Sequence, residues 1–89
     1  MNGQISTRRQ QLAHEIFSAL QAQYPEISLL EIQPSPEHPD DTWIHVLAPM
    51  DEDREMAMNA LAAHLESNIL VEHDYHFSTL SQNPTLVES

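Results

Sequence analysis

The stretch "NILVEHDYHFSTL", residues 68–80, decides the fold because it holds both the end of a helix and the start of a strand. Apolar residues at helical spacing lead into it: Leu61, Leu65 and Ile69. Residues 73–74 are a histidine and an aspartate, which tolerate a turn. We therefore expect the helix to end at Leu70 or Glu72 and a strand to cover residues 75–80.

An amphipathic pattern near the start predicts the first helix. Thr7 followed by Gln10 has the form of a capping box. Apolar residues then recur at intervals of three and four: Leu12, Ala13, Ile16, Phe17, Leu20 and Tyr24. Pro25 ends the helix because its ring disfavours helical geometry in the preceding residue.

Two strands are predicted between the helices, over residues 26–33 and 42–48. The intervening loop, "PSPEHPDD" at 34–41, contains three prolines that cannot donate to a strand ladder. Alternation along the second strand places Trp43, His45 and Leu47 on one face and Ile44, Val46 and Ala48 on the other. Asp51 then forms a candidate N-cap for the second helix.

The resulting order, αββαβ, predicts an α+β fold of one small domain covering residues 1–89. We expect a two-layer sandwich, in which two helices lie on one face of a three-stranded sheet. Residues 6–81 form the expected ordered core, and both polar ends are expected to be flexible.

The sheet face without helices is the predicted interaction surface. We assign Trp43 and Leu47 to it, together with Tyr75 and Phe77 from the last strand, and Leu29 is a further candidate. A monomer seldom exposes such an apolar patch, so we expect that a second copy of the chain buries it in a homodimer. The alternative is that these side chains pack beneath the proline loop and the C-terminal tail.

The charge balance excludes whole classes of partner. Fourteen acidic residues oppose three arginines and no lysine, for a net charge of -11. Such a chain lacks the phosphate contacts that nucleic acids require, and an anionic membrane would repel it. A basic protein is a compatible partner. The segment "MNGQISTRRQQLAHE" has no continuous apolar stretch like that of a signal peptide, and the chain has no cysteine, so the expected location is the cytoplasm.

Histidines and carboxylates suggest a metal site as an alternative function. Six histidines occur without any cysteine, which favours nitrogen and oxygen ligation of zinc, nickel or copper. The best candidate set is His45, His73 and His76, with Asp74 nearby. The ordinary interpretation is that all three are sheet residues with common hydrogen bonds.

Catalysis is not expected, and no cofactor is predicted. Lysine is absent, and Ser78 and Thr79 stand in a strand beside His76 without a glycine turn. Nothing in the pattern pairs two carboxylates across a pocket.

The segments "ISLLEIQPSPEHPDDTWIHVLAPMDEDRE" and "NILVEHDYHFSTL" resemble, in the order of their elements, a minimal nucleotidyltransferase domain. That family carries a Gly-Ser pair after its first strand, where this chain has Gln33, Pro34 and Ser35. It also needs two carboxylates one residue apart, whereas Asp40 and Asp41 are adjacent. The resemblance implies a fold without the activity. The same order is similar to cytosolic domains of cation-diffusion transporters, to BolA proteins and to short uncharacterised bacterial proteins.

Taken together, these patterns predict a non-catalytic, acidic protein-protein interaction module that forms a homodimer through the open sheet face. A histidine and carboxylate metal-binding domain is the first alternative. A degenerate nucleotidyltransferase-like domain is the second.

Overall fold

A computed structural model describes residues 6–38 and 40–82. It contains two helices and three strands: α1 (Thr7–Gln23), β1 (Ser28–Pro34), β2 (Asp41–Leu47), α2 (Glu52–His73) and β3 (His76–Gln82). The predicted αββαβ order and α+β class are confirmed. The ends predicted to be flexible lie almost wholly outside the described residues.

The sheet is mixed, with strand order β1-β2-β3. β1 runs antiparallel to β2, as predicted, and β3 runs parallel to β2 after the crossover through α2. The register shifts between Leu29 and Glu31, so β1 contains an irregularity that leaves Leu30 as an extra residue. Pro34 forms the last residue of β1, not the first of the loop, because an edge strand tolerates a missing N–H at its end.

Both helices pack on one side of the sheet, as expected for the two-layer sandwich. Alternate residues of β2 and the residue that follows it supply the centre of this core, because Ile44, Val46 and Ala48 are almost fully buried. The buried apolar residues of α1 and α2 that meet them are Leu12, Ala13, Ile16, Leu20, Met58 and Ala62. The predicted division of β2 into a core row and an opposite row is therefore confirmed.

The N-cap of α1 differs from the expected one. Ser6 occupies the cap in extended backbone geometry, and its Oγ accepts a hydrogen bond from the backbone N–H of Arg9 at 3.2 Å. Thr7, the predicted cap, is already the first helical residue. Serine and threonine are both good caps, so the sequence alone did not separate two adjacent candidates.

The C-terminus of α2 is one residue beyond the later of the two predicted positions. The helix ends at His73, and Asp74 follows with φ 61° in the left-handed region. The Asp74 N–H donates to the Leu70 carbonyl, which satisfies one of the last helical acceptors. This single residue turns the chain from helix into β3, as the composition of residues 73–74 predicted.

Within the described residues, neither helix is long and apolar enough to cross a membrane.

Candidate interaction surface

The sheet face opposite the helices, called the open face below, is built from all three strands. Direct register partners across a sheet point to the same side, so the pairs Trp43 with Ser78 and His45 with Leu80 define it. At the irregularity in β1, two residues oppose His45 and share its side. By this register, the residues of the open face are Ser28, Leu30, Glu31, Gln33, Asp41, Trp43, His45, Leu47, His76, Ser78, Leu80 and Gln82.

Two predicted interface residues lie on the other side of the sheet. Phe77 pairs with Thr42 and is 6% exposed within the core, so its assignment to the open face was wrong. Tyr75 belongs to the same alternating row, and the Arg9 guanidinium of α1 lies 5.2 Å from its ring centre. The physical reason is the register with β2, because Thr42 belongs to the buried row and places Phe77 beneath the helices.

Leu29 also lies on the helix side, because it pairs with Val46 of the core row. Trp43 and Leu47 lie on the open face as expected. Their role as contacts in an interface stays a prediction.

The centre of the open face is apolar. Trp43, Leu47 and Leu80 are partly buried, and Leu30 remains 45% exposed. The Trp43 ring meets the His45 ring edge to face, with centroids 6.0 Å apart and an interplanar angle of 74°. The aromatic pair holds the imidazole against the sheet.

His45 carries an unsatisfied polar atom. Among the described residues its Nε2 is buried without a hydrogen-bond partner. Its direct register partners are Glu31 on β1 and Leu80 on β3. Buried polar atoms normally have partners, so the unpaired nitrogen at the centre of the open face is an unfavourable feature of the fold.

The outer edge of β3 is covered by polar side chains of α2. The Thr79 hydroxyl donates to the Glu66 carboxylate, which also accepts the backbone N–H of Thr79. The Ser81 hydroxyl donates to Glu55 at 2.8 Å. A strand from another chain would have to displace these contacts before it could pair with β3.

The other edge of the sheet is interrupted as well. β1 carries the irregularity at Leu30 and ends in Pro34, which has no N–H to donate. Bulges and prolines are features that prevent edge strands from pairing with other chains. The open face is therefore a better docking surface than either edge.

The pKa of the Glu66 carboxyl is raised because α2 packs this side chain against β3. Burial raises the pKa of the Glu66 carboxyl above its ordinary value of 4.5, and the negative charge of Asp41 acts in the same direction. The two hydrogen bonds from Thr79 act in the opposite direction by stabilising the carboxylate.

The structure does not bring the predicted metal ligands together. His45 and His76 lie four positions apart along neighbouring strands, which corresponds to about 13 Å at roughly 3.3 Å per residue. His73 ends α2, and its Nδ1 accepts a hydrogen bond from Arg8 at 3.2 Å. Across residues 6–38 and 40–82, no three histidine, aspartate or glutamate side chains are placed to hold one ion.

A depression of about 350 Å³ lies at the end of the sheet where β2 and β3 begin. His38, Asp40, Asp41 and His76 line it. The sequence analysis missed this grouping, and only the register of Asp41 with His76 would have revealed it. The Ser78 hydroxyl donates to Asp41 at 3.4 Å, and Arg9 approaches the exposed Asp40 carboxylate at 4.0 Å.

The three arginines all interact within the chain. Arg54 donates two hydrogen bonds to Glu26, at 2.6 and 2.9 Å, and lies 4.9 Å from the Tyr24 ring centre. Arg8 contacts His73, and Arg9 contacts Asp40 and Tyr75. These contacts neutralise few of the fourteen acidic residues, and the surface stays strongly negative.

Comparisons with protein-family models, with curated protein sequences and with solved structures gave no match for this chain. The resemblance to a nucleotidyltransferase-like domain therefore stays a prediction.

Proposed function

We propose that this protein is a non-catalytic interaction module that pairs with a second copy of itself through the open face. The observation that carries the proposal is the apolar centre formed by Trp43, Leu47 and Leu80 on the side of the sheet that neither helix covers. An apolar face of this kind on a small domain is typical of a protein-protein contact. The lack of cysteine suits a reducing compartment such as the cytoplasm.

Charge favours a second copy as the occupant of this face. The open face holds two carboxylates, those of Glu31 and Asp41, and no arginine, although the chain as a whole carries a charge of -11. A basic partner would gain most of its attraction on other surfaces. Two faces with few charges and apolar centres can pack together, and such a pairing directs the acidic helices of both copies outward.

The size of the face limits the expected affinity. Three strands of seven residues outline a surface of about 23 by 14 Å, given roughly 3.3 Å per residue and 4.8 Å between strands. Two such outlines together cover roughly 640 Å², which is below the roughly 1,200 Å² at which standard specific interfaces begin and belongs to weak, transient contacts. We therefore expect a reversible dimer with a dissociation constant in the micromolar range, not a permanent one.

Sedimentation velocity from about 1 to 300 μM tests the pairing. The wild-type protein should shift from monomer to dimer over this range. Trp43→Asp and Leu47→Asp each place a charge in the dehydrated contact and should leave a monomer throughout. Val71→Asp is the matched control, because Val71 is apolar but 84% exposed on α2, away from the sheet.

Two results would contradict the proposal. One is a wild-type protein that remains monomeric at the highest concentration. The other is a dimer that Trp43→Asp and Leu47→Asp leave intact while circular dichroism shows both variants folded, because the copies would then meet elsewhere.

A basic protein partner is a second candidate, and it uses a different surface. Met50 and Met56 are 73% and 70% exposed and flank the segment 51–55 at the start of α2, which is acidic except for Arg54. Flexible methionines among carboxylates suit a basic amphipathic helix. Fluorescence anisotropy with a labelled lysine- and leucine-rich peptide tests this binding. Met56→Ser should weaken it several-fold and Val71→Ser should not; equal effects would count against the surface.

A further inference from the structure

A second depression lies between α2 and the first residues of β3. Its volume is about 210 Å³, which is below the roughly 300–1,000 Å³ typical of pockets for drug-sized ligands. It therefore has room for a group of the size of one side chain. Three of its lining residues are apolar and three are polar: Ala63, Leu70 and Phe77, and Glu66, Ser67 and His76.

Glu66 is the acidic group of this pocket, and part of its carboxylate is open to a ligand. Thr79 donates its hydroxyl and its backbone N–H to the Glu66 carboxylate. An ionised carboxylate has about four acceptor positions, so about two of them remain. Glu66 lines the pocket and is only partly buried. A donor that enters the depression can therefore contact this carboxylate.

No arginine within residues 6–38 and 40–82 forms an ion pair with Glu66. The charge that acts on its pKa is the negative charge of Asp41. Burial and this repulsion both raise the pKa of the Glu66 carboxyl, because each disfavours the ionised form. The chain contains no lysine, so no lysine side chain of its own can enter the pocket. A cation from another molecule would relieve the repulsion.

We propose that this pocket binds a primary ammonium group on a short alkyl chain, supplied by a free alkylamine or by a lysine side chain of another protein. The ammonium donates to the Glu66 carboxylate, and the methylene groups pack against the apolar walls. A charge-assisted hydrogen bond and the burial of methylenes together provide the affinity. The proposal is independent of pairing through the open face, because α2 and Phe77 lie on the helix side of the sheet.

The hydrogen bonds of Glu66 favour an ammonium over a guanidinium. Guanidinium binds a carboxylate best through two parallel hydrogen bonds, one to each oxygen. The Oε2 atom of Glu66 already accepts the Thr79 hydroxyl, so such a fork would compete with this bond. Ammonium is a compact charge with three donors that rotate freely, and it needs only one acceptor.

An NMR titration of the full chain with n-butylammonium tests the proposal. This probe has the four carbons and the charge of a lysine side chain, and about 150 mM salt screens long-range attraction to the acidic surface. The amide signal of Thr79 should shift and saturate, because its N–H bonds to Glu66. We expect a dissociation constant on the order of 1–10 mM, since few atoms contribute. Uncharged 1-butanol should bind at least about fivefold more weakly, and n-propylguanidinium also more weakly.

Variants of the pocket locate the binding. Glu66→Gln keeps the size of the side chain and should weaken binding about five- to tenfold. Ala63→Leu fills the depression, leaves the carboxylate in place and should weaken binding by a similar factor. Glu52→Gln is the matched control, because it removes the same charge from an exposed position about 21 Å away along α2, at roughly 1.5 Å per residue. It should change binding less than about twofold. Circular dichroism checks that each variant is folded.

His76 is the other titratable group of the lining, and it is exposed at the start of β3. His76→Gln removes the ring and keeps a polar group. Binding should stay within about twofold of wild type, because the ammonium pairs with Glu66. A loss as large as that of Glu66→Gln would overturn the assignment of Glu66 as the partner.

A pair of short peptides distinguishes the two sources of the ammonium. One peptide carries a single central lysine, and the other has glutamine in its place. If the lysine peptide shifts Thr79 at least as strongly as n-butylammonium does, the pocket accepts a lysine of another protein. If only n-butylammonium shifts Thr79, the pocket accepts free alkylamines.

Three results would overturn the proposal. One is a Thr79 signal that does not shift at about 50 mM n-butylammonium, several times the expected dissociation constant. The second is equal binding of 1-butanol. The third is equal weakening by Glu66→Gln and Glu52→Gln, which would indicate general attraction to a chain with a charge of -11. None of these results bears on pairing of the open face, which sedimentation velocity measures separately.

Discussion

Phe77 of β3 and Thr42 of β2 are direct register partners, and both side chains lie beneath the helices. This one pair fixes the orientation of the whole last strand. It assigns Phe77, Thr79 and Ser81 to the helix side, where the latter two bond to α2, and it leaves Ser78 and Leu80 on the open face.

Phe77→Ala should destabilise the fold. Removal of a buried phenylalanine side chain costs about 3–5 kcal/mol. The free energy of unfolding of a domain of this length is roughly 4–13 kcal/mol, so this loss would remove a large part of it. Phe77→Leu should cost less, because it retains most of the apolar volume. Urea denaturation of both variants measures the difference, and a loss below about 1 kcal/mol for Phe77→Ala would contradict a core position.

The left-handed turn at Asp74 predicts opposite effects for two small replacements. Asp74→Gly should stabilise the protein by about 0.5–1 kcal/mol, because glycine adopts positive φ without steric cost. Asp74→Ala should destabilise the protein. The Cβ of alanine is sterically disfavoured at positive φ, and alanine lacks the polar side chain with which aspartate can bond to the nearby backbone. Thermal melts of the two variants against wild type measure both effects. If the two melting temperatures change in the same direction, the turn does not have this geometry.

Glu66→Gln should alter how stability depends on pH. Burial raises the pKa of Glu66, so the folded protein holds this proton more tightly than the unfolded chain. The contribution of Glu66 to stability is therefore largest below pH 4.5 and falls as pH rises through its elevated pKa. Glutamine can keep both Thr79 hydrogen bonds and does not ionise. The melting temperature of Glu66→Gln relative to wild type should increase from pH 4 to 7; a constant difference would contradict the shift.

The pKa of Glu26 is shifted in the opposite direction to that of Glu66. Hydrogen bonds from Arg54 lower the pKa of Glu26, so its contribution is present above pH 4.5 and is lost as pH falls through the lowered value. Both groups are exposed, so the effect on melting temperature should be small and weaker in high salt. Glu26→Gln should lower the melting temperature slightly at pH 7 and not at pH 2. Arg54→Lys should have an intermediate effect, because lysine keeps the charge but not the two parallel bonds.

The cap of α1 offers a matched pair of adjacent residues. Ser6→Ala removes the side-chain oxygen that accepts from Arg9 and should cost about 1 kcal/mol. Thr7→Ala should be neutral or slightly stabilising, because alanine is the better helix former. Denaturation midpoints of both variants test the assignment. A larger loss of stability in Thr7→Ala than in Ser6→Ala would instead support Thr7 as the cap, as the sequence pattern predicted.

The order of elements was predictable because it depends on periodicity, which the sequence carries residue by residue. Helical spacing from Leu61 to Ile69 and strict alternation from Trp43 to Ala48 each predicted the right element. Boundaries were off by one or two residues, because Ser6 and Thr7 are equivalent as caps and Pro34 is acceptable at a strand end. The irregularity at Leu30 has no signal in the sequence, because it depends on pairing with β2.

The candidate surface was predictable only where one strand row is clearly apolar. Ile44 and Val46 make one row of β2 clearly apolar despite the buried Thr42, so Trp43 and Leu47 were assigned correctly to the opposite side. β3 alternates between two mixed rows, one with Phe77 and one with Leu80, and composition did not separate them. The histidines were grouped by type in the sequence, but the strand register places His45 and His76 far apart.

The polar cover that α2 lays over β3 also limits the size of any assembly. With Glu66 and Glu55 holding one edge and the irregular β1 forming the other, the sheet cannot be extended strand by strand into a fibre. An isologous contact through the open face uses the same patch on both copies, so a completed pair has no free patch left. Association of this kind has point-group symmetry and ends at two.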